Sequence, residues 1–251
     1  RLDKNLVPNL QPRGGVSERC CACSPTREKP DAQKAVPLEP LVQGHQPAAA
    51  SAEGFLYPRS PNSHDLRREI REQRGKLPGT VRAAYDRAIR QYLARLISDR
   101  AACSIAAFWP FDGEPDITPL FETLMENGVE LALPVVSGGD DHSMQFHTWL
   151  VSTGLTANRY GIPEPRGTAV VPVSQLDMLI MPLVAYDRHC SRLGMGGGYY
   201  DRHQESLREC AAPLRVGIAY SQQDVGKLEC KIWDSPLHGI ENEHGWFTFV
   251  E

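Results

Sequence analysis

Asp187-Arg-His-Cys-Ser-Arg192-Leu-Gly194-Met-Gly196-Gly197-Gly198-Tyr199-Tyr200-Asp201-Arg202 follows an apolar run over residues 176–186 and leads into a polar stretch of helical character. That is the order strand, glycine turn, helix. Gly194, Gly196, Gly197 and Gly198 remove the Cβ atoms that would hold a ligand away from the main chain. The N–H groups of such a turn, and of a helix start behind it, favour an anion, phosphate above all. Arg192 adds a fixed positive charge, and Asp201 puts a carboxylate one turn into the helix, where a metal ion shared with a phosphate could be held. The stretch lacks the Gly-Lys-Ser/Thr ending of a P-loop and the glycine spacing of a dinucleotide fold. For the glycines alone, a tight turn that needs positive φ is an open alternative.

The chain around it has 251 residues, long enough for one sizeable α/β domain or two small ones. Its 41% hydrophobic and 23% charged residues are ordinary for a globular protein. A net charge of −4 makes no bulk electrostatic case for nucleic acid or an anionic membrane. No apolar run reaches the roughly 20 residues that a membrane helix needs, and the N-terminus shows no apolar core of a secretory signal. Seven cysteines follow no disulfide-framework spacing, which suits a reducing cytoplasm.

Residues 1–61 hold nearly half of the chain's 20 prolines and no sustained apolar periodicity. Such composition cannot bury enough surface to offset chain entropy, so this segment is expected to be a disordered or spurious extension. The chain opens on Arg1; a start codon placed too far upstream, or a processed product, would account for both features. Cys20, Cys21 and Cys23 lack partners at zinc-ligand spacing.

From residue 62 the pattern changes. Asn62 and Ser63 offer N-cap groups for a helix with Leu66, Ile70 and Leu77 on one face and Arg67, Arg71 and Arg74 on another. Residues 80–99 carry a second helical period. Residues 103–108, 130–136, 176–186 and 214–220 read as buried strands and 144–150 as an alternating one, with Phe146, Thr148 and Leu150 on one face. Residues 120–127 read as a helix, and 246–250 as a closing strand. Buried strands alternating with helices predict a mostly parallel sheet covered on both faces, a single three-layer α/β/α domain over residues 62–251.

The string Arg192-Leu-Gly-x-Gly-Gly-Gly-Tyr-Tyr-Asp-Arg resembles the signature of the 5-formyltetrahydrofolate cyclo-ligase family, also called methenyltetrahydrofolate synthetases. Four further stretches are similar to that family and come in its order: the Leu66-Arg-x-x-x-Arg-x-x-Arg helix, Gly113-Glu-x-Asp-x-x-Pro-Leu120, Tyr160-Gly-Ile-x-Glu-Pro165, and Trp233-Asp-x-Pro-Leu237. The resemblance spans residues 63–249. It departs from the family at Ser63 and His64, where a Lys is usual, at Cys190, commonly Gly, and at Glu229 and Lys231 in place of Pro and Glu.

The resemblance implies ATP- and Mg2+-dependent conversion of 5-formyltetrahydrofolate to 5,10-methenyltetrahydrofolate, with release of ADP and phosphate. It assigns Arg67, Arg74, Arg192, Leu193, Gly194, Met195, Gly196, Gly197, Gly198, Tyr199 and Tyr200 to ATP, with Arg192 also catalytic. It assigns Trp109, Glu114 and Tyr160 to the folate, and Asp201 and Asp234 to magnesium. Read as residues alone, Glu114 could be a loop carboxylate beside a helix start, and Tyr160 an aromatic packed under a proline-rich loop. The expected partners are small molecules, with neither nucleic acid nor membrane, in a cytoplasmic monomer or weak homo-oligomer. A second reading is a catalytically weakened folate- or phosphate-binding relative with a regulatory role, favoured by the missing Lys. An unrelated nucleotide-dependent kinase would need a P-loop or kinase signature that the sequence lacks.

Overall fold

Asn62 starts the first helix, its side chain accepting hydrogen bonds from the N–H groups of His64 and Asp65, each at 3.0 Å. The cap sits where the sequence puts it. A computed structural model of the chain describes residues 62–137, 143–205, 213–229 and 237–248. They fall within one compact unit, Pro37–Glu251. The expectations for residues 1–61, for Lys231 and for Asp234 lie outside the described residues.

Helices α1 (Ser63–Gly75) and α2 (Gly79–Asp99) precede strand β1 (Ser104–Ala106), helix α3 (Pro119–Glu126) and strands β2 (Glu130–Val136) and β3 (Met144–Trp149). Then come β4 (Leu155–Ala157), β5 (Pro163–Pro165), β6 (Val170–Val171), β7 (Met178–Pro182), β8 (Ala185–Tyr186) and β9 (Arg192–Leu193). Helix α4 (Tyr199–Glu205) and strands β10 (Leu214–Ile218), β11 (Gly239–Asn242) and β12 (Gly245–Phe247) follow.

Eight strands form one sheet in the order β12-β11-β10-β7-β1-β2-β3-β6. The inner run from β11 to β2 is parallel, and β12, β3 and β6 join antiparallel at the edges. This is the mostly parallel α/β architecture that the alternation of strands and helices predicts. Side chains alternate across it. Ile105, Leu131, Leu133, Ile180, Val216 and Ile218 pack beneath α2 and α3. Ala106, Ala132, Leu179 and Met181 pack on the other face with Phe146, Ile240 and, from α4, Tyr199 and Tyr200. Gly217 is needed on that second face: a Cβ there would lie 2.5 Å from Leu237 and 2.7 Å from Ile240. Helix α1 packs through Leu66 and Ile70 on Val184, Ala185 and Leu228, where the chain leaves the sheet.

Two local expectations are corrected. In β3 the buried residue near the end is Trp149, packed with Phe121, while Leu150 is 54% exposed in the following turn. β3 lies between β2 and β6 and is covered on both faces, Met144 and Phe146 packing on one side and Trp149 on the other, so simple alternation fails. The apolar run 176–186 is not one strand either. It breaks after β7, and β8 pairs back on β9 to make a small antiparallel hairpin ahead of the glycines. The order is therefore strand, hairpin, glycine turn, helix.

Glu241 in β11 is fully buried, and neither carboxylate oxygen has a hydrogen-bond partner among the described residues. Burial pushes its carboxyl up to about 8. Its contribution to stability is therefore fully present below the ordinary Glu range and is lost as pH rises toward 8. Glu241→Gln, which carries no charge at any pH, is expected to flatten this slope. Its denaturation free energy relative to the parent should rise by on the order of a few kcal/mol between pH 5 and pH 9. A difference that does not change with pH would contradict the assignment.

Candidate active site

The parallel strands β1, β2, β7 and β10 end on one side of the sheet, the side on which ligands of open α/β sheets bind. A cleft of about 1540 Å³ opens there, bordered by Trp109 after β1, Pro134 and Val136 of β2, and Pro182 and Leu183 after β7. Single-ligand pockets run to about 1,000 Å³, so the cleft has room for two small molecules.

The glycine segment forms one wall, every residue from Arg192 to Asp201 lining the cleft. Gly196 (φ +98°) and Gly198 (φ +68°) take backbone conformations that side chains disfavour. At Gly197 a Cβ would sit 2.8 Å from the Tyr199 ring. The tight-turn reading and the ligand-approach reading thus coexist in the same residues. Asp187 holds the segment in place. It is buried, its Oδ1 accepts the N–H groups of His189 (2.9 Å) and Ser191 (3.0 Å), and its Oδ2 accepts that of Leu228 (3.0 Å). Between them Cys190 adopts φ +56°, a left-handed conformation that explains why a Gly suits this position.

Arg192 is nearly buried and forms an ion pair with Asp201, its guanidinium 6.0 Å from the centre of the Tyr200 ring. The two groups assigned to phosphate and to metal therefore neutralise one another. Asp201 itself is half-exposed, its side chain 41% accessible. Among the described residues no cluster of three or more His, Cys, Asp or Glu side chains could hold a metal ion. One accessible carboxylate facing a phosphate-sized glycine cradle fits magnesium, which usually takes one or two carboxylates and completes its shell with phosphate oxygens and water. It does not fit a metal held by protein ligands alone.

Of the four arginines on α1, only Arg67 reaches the cleft, its Nε donating to the Gly194 carbonyl at 2.7 Å. Arg74, expected on the phosphates, is 0% exposed and does not line the cleft. Its guanidinium donates to the Asp112 carbonyl (2.8 Å), the Asp112 carboxylate (3.0 Å) and the Leu183 carbonyl. A buried charge must be paired, and Asp112 supplies the pair. Arg71 donates to the same carboxylate at 2.6 Å and holds it below the usual Asp range. Of the two positions where the resemblance expects a Lys, Ser63 lines the cleft, whereas the His64 side chain is exposed beside Asp65.

The opposite wall carries the residues expected on the substrate. The Arg74–Asp112 pair anchors a turn in which Asp112 (φ +53°) and Gly113 (φ +77°) redirect the chain. Glu114 follows, buried at the cleft, its Oε2 accepting the Phe111 N–H at 3.0 Å. Burial pushes its carboxyl up to about 7, against the opposing pull of the Phe111 N–H and the Arg74 charge. Trp109 lines the cleft with its ring edge-on to Phe121 (6.3 Å) and Trp149 (6.4 Å). Tyr160 is exposed, lines the cleft and meets the glycine segment. Its hydroxyl lies 3.0 Å from that of Tyr199, which also accepts from Arg159 at 2.6 Å. Tyr160 therefore does not pack under a proline-rich loop.

The structure thus brings Arg67, Trp109, Glu114, Tyr160 and residues 192–201 to one cleft and excludes Arg74 from it. Sequence reasoning missed Asp187, Asn158 and Glu164. All three line the cleft. An Asx-turn signal, Asn158 three residues before Gly161, was available for one of them.

Residues 59–243 match the model of the 5-formyltetrahydrofolate cyclo-ligase family. The chain is 36% identical over 177 residues to 5-formyltetrahydrofolate cyclo-ligase of Haemophilus influenzae, covering 70% of this chain and 94% of that one. It is 40% identical over 141 residues to the Escherichia coli enzyme of the same name, covering 55% and 77%. In three dimensions it is similar to the NMR structure of Aquifex aeolicus 5,10-methenyltetrahydrofolate synthetase, with TM-score 0.66 and 28% identity over 75% of this chain and 93% of that one. A 5,10-methenyltetrahydrofolate synthetase from Mycoplasma pneumoniae matches with TM-score 0.60 and 28% identity over 73% and 99%. The matched span takes in Arg67, Arg71 and Arg74 of α1, the Glu114 turn, the Tyr160 loop and the whole glycine segment, and the chain belongs to the 5-formyltetrahydrofolate cyclo-ligase family.

Proposed function

We propose that the chain uses ATP to convert 5-formyltetrahydrofolate to 5,10-methenyltetrahydrofolate, releasing ADP and phosphate, and that the cleft described above is where it does so. The carrying observation is the cleft's two unlike walls. One wall offers a glycine cradle with Arg67 and Arg192, and the other a buried carboxylate between exposed and half-buried aromatic rings. A polyphosphate suits the first, and a flat heterocycle with N–H donors suits the second.

The N5-formyl group is an amide, whose oxygen is a poor leaving group. Its oxygen attacks the γ-phosphorus of ATP, the new O–P bond forms, and the bond from that phosphorus to ADP breaks. N10 then attacks the activated carbon and loses its proton, and the C–O bond breaks to release phosphate. The protein is asked to align the two reactants and to stabilise charge on the transferred group. Residues 193–200 and Arg67 cradle the phosphates, and Arg192 supplies the positive charge nearest the transferred group. Trp109, Glu114 and Tyr160 orient the pterin. Magnesium would be held at Asp201, with Asp234 a second ligand by family resemblance, and would neutralise phosphate charge. Taking Asp201 from Arg192 would free that guanidinium for the phosphoryl group. Arg74 has no ligand in this scheme; it acts by holding the turn that presents Glu114. The reactants are small molecules, and no helix among the described residues is long and apolar enough to cross a membrane. A cytoplasmic monomer or weak homo-oligomer completes the proposal, on the sequence features given above.

The direct test is absorbance of the methenyl product from purified protein, 5-formyltetrahydrofolate and Mg-ATP. Product should appear only when ATP and magnesium are both present. Asp201→Asn keeps an acceptor for Arg192 but removes the charge. It should lower kcat by about 100-fold or more while leaving the dissociation constant of 5-formyltetrahydrofolate within about twofold. Equal loss of folate binding would take Asp201 out of the phosphate wall.

Glu114 gives a pH signature. If its ionised form accepts the pterin N–H donors, KM for the folate should fall as pH rises from about 6 to about 8, because deprotonation completes across that window. Glu114→Gln should flatten the profile. A profile that keeps its inflection in the variant would assign the titration to another group. Ser63 bears on the weakened-relative reading, since of the two positions where the resemblance expects a Lys it is the one that lines the cleft. For a competent enzyme, Ser63→Lys should change kcat/KM for ATP by less than about threefold; a gain of about 100-fold would mark the parent as crippled.

A further inference from the structure

Tyr160 stands on a loop at the mouth of the cleft, so its ring can place a substrate only if the loop itself is fixed. The loop joins β4 to β5, which form a two-stranded sheet separate from the main one. Main-chain bonds close it, from Asn158 N–H to the Ile162 carbonyl and from Gly161 N–H to the Asn158 carbonyl, both 2.9 Å. Gly161 turns it at φ +79°. Inside the turn the Asn158 side chain acts as a second frame. Its Oδ1 accepts the N–H groups of Tyr160 (2.8 Å) and Ile162 (3.1 Å).

What locates this frame is Glu164. Its carboxylate is buried, and its Oε1 accepts from Asn158 Nδ2 at 2.7 Å and from the N–H of Val136, at the end of β2, at 2.9 Å. One oxygen therefore ties the small sheet to the main sheet and orients the amide that holds Tyr160. A bent, surface-carried aromatic is converted into a rigid one by two side chains beneath it.

We propose that Glu164 and Asn158 are positioning residues for the folate half of the cleft, acting through Tyr160 rather than by touching substrate. The proposal rests on the reading that Tyr160 stacks on the pterin. Both bonds to Glu164 end on one oxygen as acceptor, so the side chain's charge is not required. A glutamine presents the same acceptor, whereas alanine removes both ties.

Glu164→Ala should raise KM for 5-formyltetrahydrofolate about tenfold and leave KM for ATP within about twofold. Glu164→Gln should behave as the parent. In a Tyr160→Ala background, Glu164→Ala should add less than about twofold, since its effect runs through the missing ring. A readout independent of activity is amide exchange: the Tyr160 and Ile162 N–H groups should exchange faster in Glu164→Ala and in Asn158→Ala. The Asn158 variant serves if the Glu164 one does not fold. A Gln variant as impaired as the Ala one, or full additivity with Tyr160→Ala, would show Glu164 contacting substrate and overturn the proposal. Unchanged exchange at both amides would overturn it too. If the parent makes no methenyl product, the functional reading fails while the exchange result still decides whether the relay holds the loop.

Discussion

One buried carboxylate, Asp187, sets the shape of the glycine wall of the cleft. It accepts three main-chain N–H groups, two from the turn that begins the glycine segment and one from Leu228, 41 residues further on. Hydrogen bonds to a charged acceptor contribute about 1.5–3 kcal/mol each, more than neutral ones, and here they act in the turn just beyond the short β8–β9 pairing. The hairpin of β8 and β9, the left-handed turn at Cys190 and the glycines beyond it all hang from this point. A flexible glycine segment would lose its advantage if its origin wandered; Asp187 lets the glycines be open without being loose.

The same logic runs through the charges of α1. Four arginines on one helix could all have faced a ligand; Arg68 lies on the exposed side beside Asp65. Two are instead paired with Asp112, and the fully buried Arg74 fastens the turn that carries Glu114 to the helix. Only Arg67 lies open to the cleft, next to Gly194. The helix thus serves both walls, one through a ligand-facing charge and one through buried pairing. Arg192 and Asp201 hold each other, so neither charge is unpaired.

Local signals in the sequence carried much of this. Asn62 is an N-cap by residue type and by geometry, β2 spans the residues that its apolar run marks, and Gly196 and Gly198 adopt the positive φ of the tight-turn alternative. What was illegible depends on partners far away in the chain. The break in the apolar run 176–186 is stabilised by Gln223, whose Nε2 donates to the carbonyls of Leu183 and Val184 at 2.9 Å each, and by Arg74, which reaches the same Leu183 carbonyl. Periodicity reports which residues are apolar, not where a carbonyl finds a donor from another helix. The burial of Arg74 was hidden for the same reason. An arginine on a basic helix reads as exposed until Asp112, on a different loop, supplies its counter-charge. The motif order located the site; the division of its residues between touching ligand and holding the site required the structure.

The account stands on the claim that both reactants occupy one cleft so that the formyl oxygen attacks the γ-phosphorus directly. An isotope experiment tests this most closely. 5-Formyltetrahydrofolate labelled with oxygen-18 in the formyl group is turned over with unlabelled ATP in unlabelled water, and the released phosphate is examined by mass. The account predicts that the label appears in phosphate, one labelled oxygen per methenyl product. Label found in water, with unlabelled phosphate, would mean that the formyl oxygen leaves without phosphorylation, and would contradict it.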